Sequence, residues 1–121
     1  MPSNPVHQKR LSETLDSQMS QIIQDFVRDT KYLLKDNIVA EYLFGSYTRH
    51  TQTALSDIDI LIIVKQTTPA IQWEMGGLAS DYSLKYDVCI SPLVHDLRVW
   101  KKNQQYHTLF YQEIMQYGIP L

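Results

Sequence analysis

The apolar run Ile60–Val64 constrains the fold of this chain more than any other feature of the sequence. Residues on both faces of this segment are apolar, which is typical of a strand buried inside a packed sheet. The run is the longest uninterrupted apolar segment and is far too short to span a bilayer. A strand over Asp57–Val64 that enters a packed interior is therefore the first prediction.

The segments around this strand alternate between helical and extended patterns. Apolar residues at three- and four-residue steps predict a long first helix, and Gly76-Gly77 should weaken or break the second helix near its middle. The predicted elements are a helix over Ser12–Leu34, a strand over Val39–Phe44, helical turns over Ser46–His50, a helix over Pro69–Ser80, a strand over Leu84–Ile90, a helix over Pro92–Lys102 and a final helix from Tyr106 to Gly118. This order predicts an α/β or α+β domain with a small sheet.

Length and composition limit the possible classes of protein. The chain of 121 residues falls within the range of one domain, and we expect residues 1–121 to form it, with a flexible polar tail over 1–10. The single cysteine, Cys89, excludes a disulfide framework and fits a reducing compartment. A net charge of −2 with scattered Lys and Arg argues against binding to long nucleic acids. We expect a cytoplasmic protein without a membrane segment.

Two carboxylates stand where the central strand begins. Because side chains alternate along a strand, Asp57 and Asp59 project from one face, roughly 6.6 Å apart at Cα, while Ile58 points to the other. Paired carboxylates near a core repel each other and resist desolvation unless a cation neutralises them. Hard oxygen ligands of this kind suit Mg²⁺ bound together with substrate phosphates. The pair is therefore a candidate metal site.

Gly45 and Ser46 supply a complementary feature and are separated from Asp57 by ten residues. A strand that ends in glycine before a helical turn lets backbone N–H groups approach a phosphate closely, and the hydroxyl of Ser46 adds a donor. Arg49 would lie one turn after Ser46 and could reach a phosphate, although a surface position is the commoner outcome for an arginine. Gly-Ser or Asp-x-Asp alone would be a weak signal, whereas their spacing together is a strong one.

The stretch from about Tyr42 to Val64 resembles the nucleotidyltransferase signature, in which Gly-Ser is followed by ten variable residues and Asp-x-Asp. It is similar in particular to the minimal nucleotidyltransferases that accompany HEPN toxins in prokaryotic toxin–antitoxin pairs. This resemblance implies a nucleotidyltransferase fold with a small mixed sheet flanked by helices. It also implies that ATP is the donor substrate and that two Mg²⁺ ions are the cofactor.

The resemblance implies a role for each residue of the site. Gly45 and Ser46 would bind the NTP phosphates, and Asp57 and Asp59 would ligate Mg²⁺. A third carboxylate on a later strand would complete the metal site or deprotonate the acceptor. Asp87, in the predicted strand over Leu84–Ile90, is the first candidate for this role, and Asp81 is the alternative. If Asp87 has only a structural role, it is a strand-edge carboxylate paired with a nearby cation.

The identity of the acceptor divides the functional hypotheses. The resemblance favours transfer of AMP to a hydroxyl side chain, such as a tyrosine, on a cognate HEPN ribonuclease toxin, which would make this chain an antitoxin. A second hypothesis is adenylylation of a small molecule of the aminoglycoside type, although those enzymes usually carry an added domain. A third is neutralisation of a toxin by binding alone, with a vestigial site. Oligomerisation, with itself or a partner, is left open.

Overall fold

A four-stranded sheet with helices on both faces is the frame of the domain in the computed structural model, which describes residues 17–49, 51–53 and 56–121. The elements are α1 (Ser17–Leu34), a 3₁₀ turn (Lys35–Asn37), β1 (Ile38–Phe44), a second 3₁₀ turn (Gly45–Thr48), β2 (Ile58–Val64), α2 (Pro69–Tyr86), β3 (Ile90–Asp96), α3 (Leu97–Gln105), α4 (Leu109–Tyr117) and β4 (Ile119–Pro120). The predicted tail over 1–10 and the predicted start of the first helix at Ser12 lie outside the described residues.

The strands lie in the order β3-β2-β1-β4. β1 runs antiparallel to both β2 and β4, whereas β2 runs parallel to β3. This mixed sheet flanked by helices confirms the predicted α/β (α+β) class. β2 is an interior strand, which explains why the whole of its apolar run is buried.

The two faces of the sheet carry two separate apolar clusters. On one face, α1 and α2 cover Ile58, Ile60 and Ile62, which are buried together with Phe26 of α1 and Met75 of α2. On the other face, α3 and α4 cover a smaller cluster around Leu61, Ile63 and Ile114. Because side chains alternate between the two faces along β2, this one strand contributes residues to both clusters. Among the described helices, none is long and apolar enough to cross a bilayer.

Helix α2 is longer than the sequence predicts. It begins at Pro69, where the Thr68 hydroxyl accepts a hydrogen bond from the backbone N–H of Ile71, and it continues to Tyr86. The predicted break at Gly76-Gly77 was wrong because both glycines face solvent, while the packed side chains beside them hold the helix in place. Those buried side chains are Met75, Ala79 and Tyr82.

The predicted third strand over Leu84–Ile90 was wrong, and the true strand lies later in the chain. Residues 84–86 complete α2, and Asp87 ends the helix in the left-handed conformation, with φ of 54°. β3 begins at Ile90, and Pro92 lies inside it instead of opening a helix. This is possible because β3 is an edge strand with β2 as its neighbour, where a proline need not donate to a second strand.

Glu41 is a buried acid in the middle of β1. Its side chain has no exposed surface, and one carboxylate oxygen accepts a hydrogen bond of 2.8 Å from the Thr30 hydroxyl of α1. The other oxygen lies 3.9 Å from Lys31 Nζ and accepts no hydrogen bond. Burial raises the pKa of Glu41, while Thr30 and then Lys31 oppose that rise. This acid links α1 to the sheet on the face away from α3 and α4.

Candidate active site

The turn after β1 is built around Gly45. Gly45 is buried with φ of 83°, a backbone conformation that side-chain-bearing residues rarely adopt. The 3₁₀ turn that follows is held by the Thr48 hydroxyl, which donates to the Gly45 carbonyl at 2.8 Å. The Arg49 and Thr51 N–H groups both donate to the Ser46 carbonyl, at 3.2 and 3.1 Å. The predicted helical turn is therefore present as a tight 3₁₀ turn beginning one residue earlier, at Gly45.

Asp59 lies directly against this turn. Phe44, the last residue of β1, pairs with Asp59 of β2 across the ladder, so Gly45 comes beside the Asp59 side chain. A Cβ built on Gly45 would collide with the Asp59 carboxylate oxygen Oδ2. Glycine is needed here both for its backbone conformation and for the close approach of the carboxylate. The structure thus joins the two halves of the signature, which are separated by ten residues in the sequence.

Asp57 stands one step before β2 and is exposed, whereas Asp59 is partly buried in the strand. The side chains of Asp57 and Asp59 lie on the sheet face that α3 and α4 cover. Leu61 and Ile63, which follow them at two-residue steps along the strand, lie in the cluster on that face. Burial raises the pKa of Asp59, and the negative charges of Asp57 and then Glu113 raise it further. Asp59 therefore lies in a place that resists its ionisation unless a cation is present.

Glu113 of α4 is an acid at this site that the sequence analysis missed. Its carboxylate forms an ion pair with Arg49, with 3.7 Å between Nη1 and Oε1. It is also close enough to Asp59 to raise the pKa of that carboxyl. The local sequence offers one signal, since Glu113 follows Phe110 by three residues on an amphipathic helix and so shares its packed face.

Asp87 lies at the edge of the site and not on a strand. It is exposed at the end of α2 and lines a cavity of about 330 Å³ with Tyr47, Ser56 and Ser83 among other residues. Asp81, the alternative candidate, is an exposed residue within α2. The structure therefore brings Gly45, Ser46 and Arg49 together with Asp57 and Asp59, and it places Asp87 at a neighbouring cavity.

Cys89, just before β3, and Ser91, within β3, lie beside the acidic pair. Ser91 pairs with Asp59 in the register of β2 and β3, and the Ile58 N–H donates to the Cys89 carbonyl at 2.7 Å. A hydrogen bond to the Asp57 side chain raises the pKa of the exposed Cys89 thiol, with burial and the charges of Asp57 and Asp59 adding to the effect. The start of β3 is thus in direct contact with the acidic end of β2.

The acidic pair fits a hard divalent cation whose other ligands come from the substrate. In the described part of the chain, no group of three or more His, Cys, Asp or Glu side chains is arranged to hold a metal ion. Mg²⁺ usually takes one or two protein carboxylates and fills its remaining positions with waters and phosphates. Asp57 and Asp59 provide such a pair. A bound cation would reduce the repulsion between the negative charges around Asp59.

Residues 29–121 match the family described as "Polymerase beta, Nucleotidyltransferase". The chain belongs to this family and is a nucleotidyltransferase, as the spacing of Gly45-Ser46 and Asp57-Ile58-Asp59 predicts. The family membership thus confirms the nucleotidyltransferase resemblance of the sequence.

Three proteins of Methanocaldococcus jannaschii are similar to this chain. The protein named "Putative protein adenylyltransferase MJ0141" is 36% identical over 102 residues, which are 84% of this chain and 96% of that protein. MJ1305 and MJ0128 carry the same designation. They are 29% and 31% identical over 69% of this chain, covering 58% and 89% of their own lengths.

Solved structures of toxin–antitoxin complexes contain similar chains. One is a toxin–antitoxin with AMP-PNP, with a TM-score of 0.51 and 27% identity over 83% of this chain and 69% of that chain. Another is a mutant of the toxin–antitoxin MntA-HpeT, with a TM-score of 0.51 and 25% identity over the same shares of the two chains.

Proposed function

We propose that this protein is a Mg²⁺-dependent protein adenylyltransferase that transfers AMP from ATP to a hydroxyl side chain of a cognate toxin. The packing of Gly45 against Asp59 carries the proposal, because the turn that would bind phosphates lies beside a carboxylate pair that favours a cation. The name of the similar archaeal protein supports a protein acceptor. The similar toxin–antitoxin complexes support a toxin, which we take to be of the HEPN type, as that acceptor.

The N–H groups at the 3₁₀ turn and the Ser46 hydroxyl would bind the outer phosphates of ATP. Asp57 and Asp59 would hold Mg²⁺, which when bound neutralises charge on the phosphate oxygens. Arg49 would add a fixed positive charge on the same face of the sheet. Together these groups would hold the α-phosphorus in place for attack by the acceptor.

The acceptor that we propose is a tyrosine hydroxyl. Its oxygen forms a bond to the α-phosphorus, the bond from that phosphorus to the bridging α–β oxygen breaks, and pyrophosphate leaves. The phenolic proton passes to a carboxylate, for which we propose Asp87, because its cavity adjoins the acidic end of β2. Cys89, two residues later, interacts directly with Asp57. As a carboxylate, Asp87 would also be a ligand for a second Mg²⁺.

Neutralisation by binding alone is the second candidate function. It would need a surface for the toxin but no working site, so the acidic pair would be dispensable. The repulsion that surrounds Asp59 argues against this candidate. If the site had no function, replacing one of the acids would remove this repulsion without any loss of activity. Adenylylation of a small aminoglycoside-like molecule remains the alternative for the same active site.

Labelled ATP tests the proposal directly. The protein is incubated with Mg²⁺, host lysate and ATP labelled at either the α- or the γ-phosphate, in wild type and in Asp57→Asn/Asp59→Asn. We expect protein-bound label from α-labelled ATP alone, and none with the double variant. Asp36→Asn is the matched control, because Asp36 is an exposed acid in the turn at the opposite end of β1.

Each other outcome has a definite meaning. Protein-bound label from γ-labelled ATP alone would show phosphorylation and contradict the proposed transfer. Label on a small molecule would support the aminoglycoside-type alternative. A double variant that still neutralises the toxin, with no label on protein in wild type, would support neutralisation by binding.

A further inference from the structure

Glu113 lies on α4, outside the nucleotidyltransferase signature, but it is close to both Arg49 and Asp59 of the candidate site. Its carboxylate lies 3.7 Å from Arg49, and its side chain is 29% exposed, against 45% for Arg49. We propose that Glu113 is a positioning residue that holds the Arg49 guanidinium at the phosphate-binding end of the site. This inference rests on the proposed function only in taking the turn at Gly45 as the NTP-binding site.

The packing of α4 explains how Glu113 reaches this place. Phe110 packs edge-on against Phe44, the residue that precedes Gly45, with 5.5 Å between the ring centroids. Ile114 is buried in the cluster beneath α4. Since Glu113 lies one turn after Phe110, the contact that attaches α4 to the end of β1 also brings its carboxylate to Arg49. The position of Glu113 is therefore fixed by a rigid helix and not by a loop.

A fixed carboxylate matters because Arg49 has a long side chain. A free arginine loses much of its rotamer freedom when it is immobilised on a ligand. An ion pair formed before the nucleotide binds removes part of that cost, which is the usual benefit of preorganisation. The guanidinium has five N–H donors, so pairing with Glu113 leaves others to contact a phosphate.

The negative charge of Glu113 has an opposing effect. It lies near Asp59, and it should by itself weaken the binding of a polyphosphate anion. If charge alone mattered, removing it would tighten nucleotide binding. If Glu113 acts through Arg49, removing it would weaken binding. Weaker binding would therefore exclude simple repulsion of the nucleotide. The Arg49→Ala background separates a positioning role from attraction of Glu113 for Mg²⁺, because that attraction does not depend on Arg49.

The test measures the Kd of Mg²⁺ with AMP-PNP for wild type, Glu113→Gln, Arg49→Ala and the double variant. We expect Arg49→Ala to weaken binding about tenfold and Glu113→Gln about three- to fivefold. In the Arg49→Ala background, Glu113→Gln should cause no further weakening, because the residue through which it acts is gone. Tighter or unchanged binding in Glu113→Gln, or equal weakening in both backgrounds, would overturn the proposal.

Two further variants sharpen the result. Glu113→Asp keeps the charge but withdraws it by one methylene, so it should weaken binding as Glu113→Gln does; wild-type affinity would overturn the positioning role. Glu74→Gln makes the same change of charge on an exposed residue of α2 and should leave the Kd unchanged. In an active transfer assay, Glu113→Gln should raise KM for ATP with kcat changed less than about twofold.

This experiment and the labelling experiment can fail independently. AMP-PNP binding needs no acceptor, so the role of Glu113 can be measured even where no protein receives label. If wild type transfers AMP but Glu113→Gln binds AMP-PNP as wild type does, the proposed function stands and the positioning role is wrong. Thermal unfolding of each variant checks that α4 remains packed.

Discussion

Glu41 and Asp59 are two partly or wholly buried acids on opposite faces of the same sheet. Burial raises the pKa of both. Around Glu41, the hydroxyl of Thr30 and the charge of Lys31 oppose that rise. Around Asp59, the neighbouring charges of Asp57 and Glu113 increase it. The fold compensates one acid within the chain and leaves the other to be compensated by something that binds.

The difference separates a structural acid from a candidate functional acid better than burial does. Glu41 is the more buried of the two, yet its partners are local and lie on α1. Asp59 lies against a glycine turn that has no room for a side chain, because a Cβ on Gly45 would collide with its carboxylate. Like charges clustered around a partly buried acid are typical of a site that binds a cation.

The largest expected effect is at the functional acid. Asp59→Asn should lower AMP transfer about a thousandfold, on the order of 4 kcal/mol of transition-state stabilisation, because a metal ligand is lost. The same change removes a charge from among like charges, so the free energy of unfolding should not fall. Transfer rates and urea denaturation measure the two effects. Activity within tenfold of wild type would contradict the assignment of Asp59.

Gly45→Ala should have the next largest effect. The new Cβ would collide with Asp59, and φ of 83° is unfavourable for alanine. We expect about a hundredfold loss of transfer and a loss of about 1–3 kcal/mol in the free energy of unfolding. Gly77→Ala is the matched control, since nothing lies within 4 Å of its added Cβ. That change in an exposed helix should stabilise the protein by about 0.5–1 kcal/mol.

Asp87→Asn tests the proposed base. Because Asp87 lies at the neighbouring cavity and not against Gly45, we expect a smaller loss than for Asp59→Asn, about ten- to a hundredfold in kcat. Binding of Mg²⁺ with AMP-PNP should change little. Asp81→Asn, in the exposed middle of α2, should retain the wild-type rate. The reverse order of the two variants would assign the third carboxylate to Asp81.

The smallest expected effect is at the structural acid. A raised pKa in the folded state means that the protein loses stability as pH rises from the ordinary glutamate value through the folded value. Glu41→Gln removes the buried charge, so we expect it to be about 1 kcal/mol more stable than wild type at pH 7 and nearly equal at pH 4. Urea denaturation at both pH values measures this. The same difference at both pH values would contradict the interpretation.

The sequence predicted the parts of the site that lie in one short stretch. Gly45 and Asp59 are in contact because β1 and β2 are consecutive antiparallel strands, and their apolar patterns were clear from the sequence. Asp87 was harder to place because Leu84–Ile90 alternates like a strand, whereas the buried face of α2 carries the helix through Tyr86. Tertiary packing overrode the local pattern there.

The sequence by itself determined the class of fold, the central strand and the family, because these depend on local periodicity and on one fixed spacing of residue types. Only the tertiary structure decided which other charges meet at the site. Glu113 reaches Arg49 because Phe110 packs on Phe44, a contact between residues distant in the chain. Local sequence patterns do not predict such contacts, since the contacts depend on how whole elements pack on the two faces of the sheet.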